Sequence, residues 1–173
     1  MKKGIIVFLV VVSAAAAVSA GTFTGRTEVA LNYSYRDGIN MGGLSVNNSG
    51  YSDTFPIGYT VNVNADFDPT TGNCNAITML VGPSYKYSIA DSGMDIELAL
   101  GVSATGENIN ADTHFLLGAG GYLGASCALP NGLGLAVGAQ IGVDMLSVPL
   151  NGGSSFYQGT FYVTPSVGLV FNY

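Results

Sequence analysis

Eight side chains carry most of the chemistry open to this sequence: Glu28, Arg36, Asp66, Lys86, Asp95, Glu97, His114 and Asp144. Carboxylates mixed with cations can move protons, hold a metal or pair with one another. His114 is the only histidine, and acyl transfer would need a serine and a carboxylate beside it. The residue two along is Leu116, so no enzyme activity is expected. Asp66-Phe-Asp68-Pro offers two carboxylates at a loop rim, fewer than a calcium loop uses. Cys74 and Cys127 have no metal-ligand spacing, and neither a metal nor a cofactor is expected. The run Gly118-Ala-Gly-Gly-Tyr-Leu-Gly124 has the glycine content of a dinucleotide loop. Its third glycine is misplaced and no amphipathic helix follows, so it reads as a thin or crowded stretch of wall.

The elements that position these groups follow from an unusual composition. Only 9% of the 173 residues are charged, against about a quarter in an ordinary soluble domain. Eleven are acidic and five basic. Lys2 and Lys3 open a segment in which Ile5 to Val12 is almost unbroken apolar and Val18-Ser19-Ala20 supplies small residues for cleavage. That is the pattern of a secretory signal peptide over 1–20, leaving a mature chain of 21–173. Without Lys2 and Lys3 there are three bases against eleven acids, a net of −8, which repels phosphate backbones and excludes nucleic acid as a partner.

The mature chain alternates with a period of two, the signature of half-buried strands. Thr27, Val29, Leu31, Tyr33 and Tyr35 oppose Glu28, Ala30, Asn32 and Ser34. Phe55 to Phe67, Ile77 to Ile89, Met94 to Val102, Leu133 to Met145 and Phe161 to Tyr173 repeat the pattern. Such strands suit tilted bilayer crossings, apolar face to lipid and small or polar face to a lumen. Short breaks ending in glycine at Asn47–Gly50, Ala90–Gly93 and Leu129–Gly132 predict hairpin turns on one side. Breaks at Asp37-Gly38, Asp68–Asn75, Thr105–Ala111 and Leu146–Ser155 predict mostly longer loops on the other. Seven breaks give eight strands with both termini on the periplasmic side. One crossing is irregular: Ile39 and Met41 share one parity, Leu44 and Val46 the other. A β-bulge at Gly42-Gly43 reconciles them; the alternative is one long loop over Asp37–Asp53.

The signal segment, the alternating crossings and the terminal run Val167-Gly-Leu-Val-Phe171-Asn-Tyr173 resemble the small eight-stranded outer-membrane barrels of the OmpA-domain, OmpX and OmpW kind. The resemblance is one of pattern over the whole mature chain, without the periplasmic domain of full-length OmpA. It implies an all-β, eight-stranded antiparallel up-and-down transmembrane β-barrel in the bacterial outer membrane, within its lipid. It also implies that Phe171 and Tyr173 form the signal read by the barrel-assembly machinery. Outward Tyr and Phe fall near both ends of the crossings, as headgroup-level girdles do.

Inward parity places Glu28, Lys86, Asp95 and Glu97 in the periplasmic half and Arg36, Asp66, His114 and Asp144 in the outer half. An unpaired buried charge is costly, so Lys86 is expected to pair with Glu28, Asp95 or Glu97, and Arg36 with Asp66 or Asp144. Two functions follow. One is a structural or adhesion barrel meeting an extracellular ligand or host surface through its outer loops. The other is a narrow cation-favouring, porin-like pore, with water beside mid-height Ala30, Gly82, Gly101, Gly118, Gly120 and Gly138.

Overall fold

A side chain that must alternate between lipid and lumen commits its backbone to the extended conformation, and this chain does so eight times. The computed structural model describes residues 23–52, 55–109, 112–129, 133–149 and 156–172; the segment 1–20 and Tyr173 lie outside these. The strands are β1 (Phe23–Arg36), β2 (Ile39–Ser52), β3 (Phe55–Phe67), β4 (Cys74–Ile89), β5 (Met94–Ile109), β6 (Asp112–Ala128), β7 (Leu133–Pro149) and β8 (Phe156–Asn172). Each pairs antiparallel with the next, and β1 pairs with β8, closing the barrel. Closure removes the free edges an open sheet would expose.

The Asp37-Gly38 connection is a two-residue hairpin turn. Asp37 has φ 48° and Gly38 φ 81°, the left-handed pair that matches the twist of its flanking strands. The Ala90–Gly93 turn stands where the sequence placed it, with Gly93 at φ 66°. Residues 130–132 of the Leu129–Gly132 turn lie outside the described residues. The Asn47–Gly50 turn is absent. These residues lie inside β2, paired with β1 from Asn47↔Glu28 to Gly50↔Gly25. The polar run there is lining rather than turn: Asn47 and Ser49 face inward, while Asn48 donates to Thr27 Oγ1 at 2.9 Å. Gly50 is needed because the ring of Tyr59 lies over it, 2.6 Å from where a Cβ would stand. Residues 53–54, which connect β2 to β3, lie outside the described residues.

β2 is a full crossing, and the bulge expected at Gly42-Gly43 is absent. The register with β1 is continuous, and the irregularity with β3 falls between Tyr51 and Ser52. The two parities reflect apolar residues on both faces, since Met41 is buried inside while Leu44 is exposed outside.

Loops at the far end are also shorter than expected. Cys74-Asn75 belong to β4, β5 runs to Ile109, β6 starts at Asp112, and β7 reaches Pro149. Among the described residues the connections there are 37–38 and 68–73. Above the lipid belt the outward positions become polar, so alternation fades while pairing continues. A 16-residue strand such as β5, at ~3.3 Å per residue and tilted ~40°, rises ~40 Å, beyond the ~25 Å apolar band.

On β1 and on β4 to β8 the outward apolar side chains are open: Leu31 is 66% exposed, Leu100 63% and Val102 65%. Inward positions are closed. The glycines of β6 and β7 explain how large rings fit inside. A Cβ on Gly124 or Gly138 would stand 2.5 Å from the Tyr122 hydroxyl, and one on Gly120 3.0 Å from that of Tyr162. The Gly118–Gly124 run is therefore a crowded wall, not a nucleotide loop. Cys74 and Cys127 are free thiols at opposite ends of the barrel.

Candidate functional site

Three tiers of side chains cross the lumen, each tying strands that are not neighbours in the sheet. The tier nearest the termini is built on Arg26, which precedes the alternation that marks the first strand from Thr27. Its guanidinium lies 3.4 Å from Glu28 and 3.7 Å from Glu97. Tyr122 donates to Glu28 Oε2 at 2.8 Å across from β6, and Ser49 donates to Glu97 Oε2 at 3.1 Å from β2. Asn47 joins at 3.4 Å and itself accepts from Thr60 at 2.7 Å.

Lys86 does not take the place expected of it. It is half-buried opposite Glu97 in the sheet, but its ammonium lies over the Tyr51 ring, 4.9 Å from the centroid. Among the described residues neither Lys86 nor Asp95 forms an ion pair. Arg26 supplies the counter-charge instead, since its planar fork can reach two carboxylates at once.

The middle tier is neutral and runs from wall to wall. Asn32 donates to Ser45 at 3.0 Å, Ser45 to Asn64 at 2.6 Å, Asn64 to Gln140 at 2.5 Å, and Gln140 to the Tyr162 hydroxyl at 3.1 Å. Leu80, Ala99 and Tyr122 pack as an apolar cluster beside it. The space expected for water at Gly120 and Gly138 is filled by tyrosine rings. At Gly82 and Gly101 the backbone of the neighbouring strand stands where a Cβ would go.

The outer tier is centred on Arg36, which pairs with Asp144 and not with Asp66. Its Nη2 donates to Thr78 at 2.8 Å and Thr105 at 3.4 Å, and the guanidinium lies 4.4 Å from the centre of the Tyr162 ring. Asp66 is buried nearby, with the polar side chains of Ser34 and Asn32 beside its carboxylate. The pair Asp66 and Asp68 does not converge on an ion. Asp66 faces the lumen, whereas Asp68 caps its own loop by accepting from the Thr70 amide at 2.7 Å and the Thr71 amide at 3.3 Å. Those amides, Thr70 first, hold the Asp68 carboxyl below its ordinary range.

His114 Nδ1 lies 3.1 Å from Ser147 Oγ, with Glu107 opposite His114 in the sheet. The three residue types could suit acyl transfer, but the Ser147 side chain is fully buried. It also sits in a paired strand, whose amides bond the ladder rather than an oxyanion. Among the described residues no group of three or more His, Cys, Asp or Glu converges as a metal site.

Neither the family models nor the curated proteins contain a match to this chain. Solved structures do. OprG from Pseudomonas aeruginosa aligns at TM-score 0.60 and 11% identity, covering 88% of this chain and 96% of that one. Neisserial surface protein A aligns at 0.56 and 13%, covering 88% and 98%. Ail, the attachment invasion locus protein of Yersinia pestis, aligns at 0.53 and 9%, covering 87% and 97%. The fold is that of the small eight-stranded outer-membrane barrels. At these identities the shared property of such a barrel is its architecture, and the lumen described above is this chain's own.

Proposed function

We propose that this barrel resides in the bacterial outer membrane as a structural and surface-contact protein, and that it neither passes solutes nor catalyses a reaction. The observation that carries this reading is the lumen. Arg36, Met41, Leu80, Leu116, Tyr122, Gln140 and Tyr162 are all fully buried within it, and an eight-stranded barrel has little more width than its side chains fill. Phe171, exposed on the outer wall of β8, and Tyr173 serve the barrel-assembly machinery in this reading. The end bearing Asp37 and Asp68 faces outward, and the termini face the periplasm.

Contact at the outer end differs in chemistry from that of one neighbour. Ail is described in complex with the heparin analogue sucrose octasulfate, a polyanion. Of the three bases after residue 20 here, Arg26 and Arg36 are buried and Lys86 lies in the opposite half. Exposed Asp37 and the ionised Asp68 remain, so the surface it meets is neutral or cationic.

Osmotic swelling of proteoliposomes tests the closed lumen. With the folded barrel inserted, vesicles in an isotonic small sugar or amino acid are expected to swell no faster than protein-free ones. A swelling rate that rises with the amount of barrel would replace this reading with the pore.

A further inference from the structure

The seam that closes the barrel is shorter than one of the strands that form it. β1 ends at Arg36, opposite Tyr162, and the chain turns away at Asp37-Gly38 into β2. β8 already starts at Phe156. Over 156–161 it has β7 on one side, from Phe161↔Val143 to Phe156↔Ser147, and among the described residues no strand on the other. At the end that bears Asp37, β8 therefore presents an open edge.

The seam also shows which backbone groups face that edge. The register of β1 with β8 runs from Asn32↔Ser166 to Tyr35↔Val163 and skips the pairs between, at the level of Pro165. Proline has no N–H, so the odd-numbered residues here are those that bond β1. Phe161 is odd, and its N–H points past the end of β1. Above it, Gln158 and Gly159 together face the single residue Met145. This bulge leaves an exposed glycine on the edge, where another backbone can come close. Phe156-Tyr-Gln-Gly-Thr-Phe161 has no charge and no proline, two common guards of an open edge.

Such an edge takes up an extended segment by strand addition, and the charge beside it narrows the partner. A strand antiparallel to β8 continues the line of β1, so its first residues lie next to exposed Asp37. Arg36 is turned inward and buried, leaving that acid to face the newcomer. We propose that β8 binds an extended peptide with basic N-terminal residues, added as a ninth strand along Phe156–Phe161. The proposal names the partner of the surface contact and rests on that reading.

Fluorescence anisotropy of the C-terminally labelled peptide Lys-Lys-Thr-Val-Thr-Val-Thr with the detergent-folded barrel tests this. A dissociation constant of about 1 mM or tighter is expected. The same peptide methylated on every backbone nitrogen keeps its side chains and charge but cannot donate to the edge, and is expected not to bind. Glu-Glu-Thr-Val-Thr-Val-Thr is expected to bind about threefold more weakly or worse. Phe161→Pro removes the edge N–H and spares the β7 ladder; it is expected to weaken binding about fivefold, the worth of one hydrogen bond. Phe161→Ala keeps the N–H and the affinity. If Phe161→Pro does not fold, the wild-type peptide series alone decides. Absence of binding would overturn the proposal and mean that the chain itself covers the edge. Equal binding by the methylated or the glutamate peptide would overturn it too, as would wild-type affinity in Phe161→Pro. Vesicle swelling is indifferent to these results, so the closed lumen stands or falls separately.

Discussion

Replacing Arg36 by alanine is expected to destabilise the folded barrel by about 3–5 kcal/mol, the range for removing one partner of a buried ion pair. The loss has two parts. Asp144 is left as a buried carboxylate with no counter-charge, and Thr78 and Thr105 lose a donor that tied β4 and β5 to β1. The Tyr162 ring also loses the cation above it. Lysine is not a substitute, because one ammonium cannot reproduce a planar fork that reaches an acid and two hydroxyls together. Reversible urea unfolding in lipid vesicles measures the difference. The companion Asp144→Asn should cost less, since it leaves a neutral acceptor under the guanidinium. A change below about 1 kcal/mol in Arg36→Ala would mean that the outer tier is hydrated and not a brace.

The second large effect concerns depth in the membrane. Val102 faces outward, 65% exposed, and pairs with Val81 on β4. Along β5 it lies midway between Leu98, opposite the girdle residue Tyr85, and Gly106, opposite Phe115. Arginine at Val102 is therefore expected to cost about 2–4 kcal/mol, the midplane figure for a cation on the lipid face. Arginine at Leu98, level with the Tyr85 ring, is expected to cost only about 0–1 kcal/mol, as near an interface. Gly101, one residue away, faces inward, and there any side chain meets the Val81 carbonyl; Gly101→Arg should therefore fail in detergent as well as in lipid. Equal costs at Val102 and Leu98 would mean that the apolar belt is not centred on Val102.

How far the sequence discloses this architecture depends on what each strand faces. In β1, β5 and β7 lipid demands apolar residues on one side and the narrow lumen demands small or polar ones on the other, so the parity is plain from composition. β2 defeats that reading. Asn47, Asn48 and Ser49 are polar on both faces, which resembles a turn, whereas Asn48 is outward and bonded to Thr27 while Asn47 and Ser49 serve the lumen. The strand ends at the far rim are hidden for a related reason: once the outward side chains leave lipid, nothing requires them to be apolar.

Charge placement is legible and charge pairing only in part: Arg36 meets Asp144, one of its two expected partners, whereas Lys86 meets none of its three. Inward parity put Glu28, Glu97, Arg36 and Asp144 inside, as the structure does. Which ones meet depends on strand tilt and on strands several places apart. Lys86 stands opposite Glu97 in the sheet yet turns to Tyr51, and Arg26 reaches Glu97 from β1. The tyrosines inside were the larger omission. A signal for them exists: Tyr122 is set among Gly118, Gly120 and Gly124, and Tyr162 faces Gly142 in the sheet. Glycines that flank an inward aromatic make room for it rather than for water.

A closed lumen requires side chains from opposite walls to be bonded to each other across it. Asn64 on β3 and Gln140 on β7 are four strands apart in the sheet, so a contact through the interior is what couples them, at 2.5 Å. A double-mutant cycle with Asn64→Ala, Gln140→Ala and the pair, followed by urea unfolding in vesicles, reads that contact directly. The predicted result is an interaction energy between about 0.5 and 3 kcal/mol, the range for residues in one hydrogen-bond network. Additivity within about 0.3 kcal/mol, the behaviour of distant independent sites, would contradict it and leave a water-filled passage between the two walls.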